Sequence, residues 1–159
     1  MDPHHHIGIY LTKESRIRSN FTFTDSFSFF ILCRKAPKEE GRFITGKWGN
    51  IVLGFWQKMK DVIHMNEFIS KGDSADSDAL YFIVLRSDRK SKYIYFKNVF
   101  EDTWSAHLRK SLPSFGQLVI GEPITFTKES MSGWIYECIC FDYFIDDPKE
   151  IISFIKKYY

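Results

Sequence analysis

The sequence predicts an α+β fold, a mostly antiparallel sheet with about three helices packed on it in a single layer. Three observations favour this class. Short apolar segments are joined by turn-prone segments, strands do not alternate regularly with helices, and aromatic residues make up 18% of the chain. Such an aromatic content favours strands. We expect residues 1–159 to form a single globular domain in which residues 1–6 are disordered.

The first part of the chain contains the clearest strand pattern. Residues 7–12 and residues 42–45 are two short candidate strands. Between them, residues 20–33 alternate, and one parity holds the apolar side chains of Phe21, Phe23, Phe27, Phe29, Ile31 and Cys33. The pattern predicts one strand over residues 20–33, with a bend or bulge at Asp25 and Ser26. Phe30 and Leu32 add apolar groups to the other face, so this end should lie deeper in the sheet.

Residues 55–69 show a different spacing. Their apolar side chains recur every three or four residues, at Phe55, Met59, Val62, Ile63 and Phe68. This spacing predicts an amphipathic helix over residues 55–69.

The predicted centre of the sheet is a hairpin within residues 79–100. Leu80–Leu85 is apolar without a break, which predicts a strand covered on both faces near the middle of the sheet. A short charged segment separates it from a second, more alternating run that ends at Phe100.

A second helix is predicted after the hairpin. Asp102 or Thr103 could cap it, Trp104, Leu108 and Leu112 would form its apolar stripe, and Pro113 would end it. Strands are then predicted at residues 115–120, 124–127 and 134–145. A third helix should begin near Asp147, since Asp, Pro, Lys and Glu in succession are typical of a helix start.

The three cysteines are expected to stay reduced. Cys138 and Cys140 lie two residues apart, so on a strand they share a face about 6–7 Å apart, a separation that disfavours a disulfide. Only Cys33 and scattered histidines could complete a metal site. We therefore predict buried thiols, no metal, no cofactor and a cytoplasmic location.

Charge and hydropathy bear on the partners. The net charge of +2 is too small to favour nucleic acid, and no apolar run approaches the length of a membrane span. The acidic residues Asp73, Asp76 and Asp78 gather in a polar loop that lacks the oxygen spacing of a calcium loop. The loop is either a solvated connector or a patch that steers a basic protein partner.

The sequence carries no recognised catalytic motif. A non-catalytic binding protein is therefore the main prediction. One alternative is a small hydrolase or nuclease in which His64, His107 and Asp142 meet in space. Another is an accessory subunit of a larger complex.

The C-terminal half resembles a known family. The predicted meander through residues 93–100 and 134–145, followed by the closing helix Asp-Pro-Lys-Glu-Ile-Ile-Ser-Phe-Ile, is similar to bacterial immunity proteins, including those of contact-dependent growth-inhibition systems. The resemblance implies a cytoplasmic antitoxin that binds one cognate toxin domain tightly and blocks its active site.

Overall fold

The structure, a computed structural model, describes residues 7–24, 26–46, 51–55, 62–65, 68–70, 80–88, 93–98, 103–108, 116–121 and 130–159. In these ranges the chain forms twelve strands and one α-helix. The strands make two six-stranded sheets, and every pair of neighbouring strands is antiparallel.

Sheet A contains, in spatial order, β1 (Ile9–Leu11), β12 (Gly133–Phe141), β3 (Phe27–Lys35), β8 (Tyr81–Asp88), β9 (Tyr93–Asn98) and β10 (Thr103–Leu108). Sheet B contains, in spatial order, β2 (Arg16–Phe23), β11 (Gly116–Gly121), β4 (Gly41–Gly46), β5 (Ile51–Phe55), β6 (Val62–Met65) and β7 (Phe68–Ser70). The helix α1 (Lys149–Tyr158) follows β12.

The two sheets pack face to face around an inter-sheet core. Phe29 and Ile83 enter it from sheet A, while Ile44 and Leu118 enter it from sheet B, and all four side chains are buried. Two antiparallel sheets that share one apolar interior form a β-sandwich.

The other face of sheet A is covered by α1. Ile155 is 0% exposed and packs in a helix-side core with Phe30, Leu32, Phe82 and Val84. The molecule therefore has three layers, in the order sheet B, sheet A and α1. The middle of β3, Phe29–Cys33, and the first part of β8, Tyr81–Leu85, are apolar without a break because both faces of these strands are covered.

The predicted α+β class with about three helices is wrong. Within residues 55–69, the described residues form the end of β5, all of β6 and the start of β7, and those of the second predicted helix form β10. A spacing of four residues places side chains on one face of a strand as well as of a helix, so the stripe of Trp104 and Leu108 fitted both. Val62 and Ile63 are β-branched, a type that favours strands. The helix predicted near Asp147 is present as α1.

The single strand predicted over residues 20–33 is two strands in different sheets. β2 pairs with β11 in sheet B, whereas β3 pairs with β8 and β12 in sheet A. Phe21 and Phe29 share a parity because both sheets direct that row into the same inter-sheet core. Ser26 lies where the chain crosses from one sheet to the other.

The predicted hairpin at the centre of the sheet is confirmed. β8 pairs with β9 from Asp88 opposite Tyr93 to Ile83 opposite Asn98, and β8 lies between β3 and β9. Its side chains enter both cores, as the unbroken apolar run predicted. The strand predicted at residues 124–127 lies outside the described residues.

β12 ends at Phe141, earlier than predicted, and the segment that follows is anchored to sheet A. Ser28 Oγ donates to the carbonyl of Tyr143 at 2.9 Å and accepts from the amide of Ile145 at 2.8 Å. Arg86 Nη1 donates to the carbonyls of Ile145 at 2.6 Å and Asp146 at 3.0 Å. These bonds fix the path of the chain into α1.

Candidate functional site

A β-bulge in β12 sets which side chains face the helix side of sheet A. Ile135 pairs with Cys33. The next paired residue of β12 is Glu137, which lies opposite Leu32, so Tyr136 is the extra residue. Bulges of this kind redirect side chains. Tyr136 and Glu137 therefore both lie on the side of the sheet that carries α1.

Four aromatic side chains form a row of two ring pairs there, which we call the aromatic ledge: Tyr10 with Trp134, and Tyr136 with Tyr159. Tyr10 lies opposite Trp134 in the strand register, and the ring centroids are 4.8 Å apart at an interplanar angle of 51°. The rings of Tyr136 and Tyr159 have centroids 6.2 Å apart. Tyr10 is 49% exposed, so the row begins in solvent and ends against the helix.

Polar groups adjoin the ledge. Tyr159 Oη donates to Glu137 Oε1 at 3.1 Å. Burial, together with the negative charge of Glu137, raises the pKa of the Tyr159 hydroxyl, which holds this donor in its protonated form. On the other side of Trp134, the register places Arg34 of β3 directly opposite it. The ledge thus combines apolar ring faces with hydrogen-bonding groups.

Gly8 permits the close packing at the start of the ledge. A Cβ at this position would lie 2.6 Å from Cδ1 and 2.8 Å from Cε1 of Tyr136. Any larger residue would have to displace that ring, so the path of the chain before β1 depends on the position of Tyr136 in the ledge.

The acidic loop predicted to bind a partner, Asp73, Asp76 and Asp78, lies outside the described residues. The structure therefore does not test that prediction.

The three residues of the enzyme alternative are not brought together. His64 is in β6 of sheet B, and His107 is in β10 at an edge of sheet A. Asp142 follows β12, and three strands separate β12 from β10. Four strand spacings of about 4.8 Å each place His107 and Asp142 about 19 Å apart.

Within the described ranges, no group of three or more His, Cys, Asp or Glu side chains is placed to hold a metal ion. The same part of the chain contains no helix long and apolar enough to cross a membrane. None of the three cysteines is in a disulfide; Cys33 is buried, as predicted, whereas Cys138 and Cys140 are only partly buried.

The aromatic ledge was not predicted from the sequence. The available signal was the alternation of Trp134 and Tyr136 on one strand, which is also typical of core positions. Tyr10 joins them only because β1 pairs with β12, and Tyr159 joins them only because α1 packs on sheet A.

No protein-family model matches this chain, and no curated protein matches it either. Solved structures do share its fold. A mutant of the Trypanosoma rangeli sialidase that displays trans-sialidase activity is similar over 84% of this chain and 23% of the sialidase, at 12% identity and a TM-score of 0.59. The binding domain of botulinum neurotoxin DC in complex with SialylT is similar over 96% of this chain and 45% of that one, at 11% identity and a TM-score of 0.58.

A third structure, a mutant α-L-arabinofuranosidase, covers 90% of this chain at 12% identity and a TM-score of 0.53. This chain spans less than half the length of each of these proteins. At such identities the likeness shows the fold alone, a β-sandwich of the jelly-roll type.

Proposed function

We propose that this protein is a non-catalytic binding domain that holds a carbohydrate on the aromatic ledge. The observation that carries the proposal is the half-exposed ring of Tyr10, 4.8 Å from Trp134 and on the same face of the sheet as Glu137. An aromatic ring that stays in water forgoes the favourable free energy of burial, so an exposed ring packed against a second ring indicates a contact surface.

The chemistry of the ledge suits a sugar ring. One face of a pyranose presents C–H groups, which pack on the apolar face of Tyr10 or Trp134, while its hydroxyls point outward around the rim. The carboxylate of Glu137 accepts hydrogen bonds from such hydroxyls, since it has more acceptor sites than its single bond to Tyr159 uses. Apolar walls with a few placed polar groups are typical of small-ligand sites.

The structures that share the fold add support. The Trypanosoma rangeli sialidase was solved in complex with sialic acid, and cell entry of botulinum neurotoxin type C depends on two ganglioside molecules. These ligands belong to those proteins. Their bearing on this chain is that the same sandwich fold occurs in proteins that contact sugars.

The test is a glycan-array screen of the purified chain, followed by titration of the best ligand by NMR or calorimetry. Tyr10→Ala should weaken binding about tenfold, because truncating an aromatic anchor typically costs more than 1 kcal/mol. The matched control is Tyr143→Ala, which removes an equally exposed ring (54% against 49%) at the other end of β12 and should leave the affinity unchanged.

Two results would contradict the proposal. One is the absence of glycan binding by the wild-type chain across the array. The other is an equal loss of affinity in Tyr10→Ala and Tyr143→Ala, since the ligand would then lie elsewhere.

The immunity function stays a prediction. Its partner would be a cognate toxin domain, and its candidate contact residues Asp73, Asp76 and Asp78 fall outside the described structure. Co-purification from the native host would test it: recovery with a toxin would support a protein ligand, and recovery alone would argue against one.

A further inference from the structure

The thiols of Cys138 and Cys140 lie side by side on β12, away from the aromatic ledge. Their partners in β3 are Ile31 and Phe29, whose side chains enter the inter-sheet core. The β-bulge shifts the phase of the strand, so both cysteines share this face with Ile135. Each is a free, half-buried thiol that packs against the border of the core.

The two thiols are close enough to affect each other's ionisation. The interaction with Cys140 lowers the pKa of the Cys138 thiol, whereas the interaction with Cys138, together with burial, raises the pKa of the Cys140 thiol. A disulfide would require the two Cβ atoms to approach within about 4.5 Å. Residues two apart on an extended strand are held about 6–7 Å apart, so the strand resists that closure.

A bridging metal ion has no such requirement. With metal–sulfur bonds of about 2.3 Å, two sulfurs bound on opposite sides of one ion are about 4.6 Å apart. Side chains on one face of a strand, with Cβ atoms about 6–7 Å apart, can bring their sulfurs to this separation without moving the backbone. The spacing that disfavours a disulfide therefore suits linear coordination by two sulfurs.

The flank of β12 beside the thiols is not covered by a strand in the described part of the chain. β1 pairs with β12 only at Gly133–Ile135, and the register stops before Cys138. Both cysteines are only partly buried, so an ion in solution can reach their sulfurs.

We propose that Cys138 and Cys140 form a two-thiolate site for the soft monovalent cation Cu(I). Thiolates are the ligands that Cu(I) prefers. Zn²⁺ in proteins almost always takes four ligands, and no third His, Cys, Asp or Glu joins the pair within the described ranges. On binding, the ion forms two Cu–S bonds, both S–H protons pass to solvent, and copper stays in the +1 state. This site is independent of the proposed carbohydrate function.

The test is an anaerobic titration of the full chain with Cu(I) presented by a chromophoric chelator. We expect the wild-type chain to remove one equivalent of Cu(I) from the chelator, with release of protons and therefore tighter binding as the pH rises. Cys138→Ser and Cys140→Ser should each abolish this transfer. Cys33→Ala is the control, because it removes the fully buried third thiol and should keep the full equivalent.

A second measurement needs no variant. Bound Cu(I) should lower the alkylation of Cys138 and Cys140 in the native protein, as read by mass spectrometry of peptides, whereas the fully buried Cys33 should stay unmodified with and without Cu(I). No transfer of Cu(I) to the wild-type chain would overturn the proposal. So would transfer that Cys138→Ser leaves intact, or alkylation of Cys138 and Cys140 that Cu(I) leaves unchanged.

Discussion

The contact between α1 and sheet A can be tested with two adjacent residues of one helix. Ile155 is 0% exposed in the helix-side core, whereas Phe154 is 56% exposed. Ile155→Ala removes three carbon groups from a filled space. At about 0.8 kcal/mol for each group the lost transfer free energy is about 2.4 kcal/mol. The cavity left behind adds to this loss of free energy, and the higher helix propensity of Ala offsets it by about a few tenths of a kcal/mol.

We therefore expect Ile155→Ala to lower the free energy of unfolding by about 3 kcal/mol. In a domain of this size that corresponds to a fall in Tm of about 6–12 °C. The assay is urea or thermal unfolding followed by circular dichroism. Phe154→Ala is the control: it deletes a larger side chain, but the ring is mostly exposed and packs against the exposed ring of Tyr158, so the change should stay within about 0.5 kcal/mol.

The result that would refute the reasoning is an equal loss in both variants, or a larger loss in Phe154→Ala. Burial would then not be what distinguishes the two positions, and α1 would not dock on sheet A through Ile155.

Two further predictions concern groups that hold the segment after β12 and the end of α1. Arg86→Met keeps the aliphatic part of the side chain but leaves the carbonyls of Ile145 and Asp146 without their donor. The free energy of unfolding should therefore fall by about 2–4 kcal/mol. An unchanged denaturation midpoint would show that these two hydrogen bonds do not stabilise the fold. The pKa of Tyr159 is raised above its usual value of 10.0, so its contribution to stability is present below pH 10 and is lost as the pH rises through the raised pKa in the folded state. Tyr159→Phe should therefore flatten the alkaline limb of the stability–pH curve, and an identical limb in the variant would argue against the contact with Glu137.

The sequence was informative where a pattern has one structural solution. The unbroken run Leu80–Leu85 required cover on both faces, and the structure provides it from sheet B and from α1. Asp-Pro-Lys-Glu followed by an amphipathic segment predicted the helix that begins at Lys149. In both cases local chemistry and the tertiary environment favour the same structure.

The sequence was misleading where one pattern fits two structures. The stripe of Trp104 and Leu108 is compatible with both a helix and a strand, and pairing with β9 decided for the strand. The pattern through residues 20–33 indicated a bend or bulge at Asp25 and Ser26 but not a change of sheets, because facing sheets direct the same parity into one core. Only long-range pairing resolves such cases, since it contributes free energy that local propensity does not.

The candidate sites divide in the same way. The sequence alone determined that Cys138 and Cys140 are neighbours on one strand, because two residues of extended chain fix that relation. The tertiary structure decided the aromatic ledge. Tyr10 is separated from Trp134 and Tyr159 by most of the chain, and the three meet through an antiparallel edge pairing and a docked helix. Binding surfaces built from distant segments carry no local signature, since the free energy that assembles them comes from burying sheet and helix faces together.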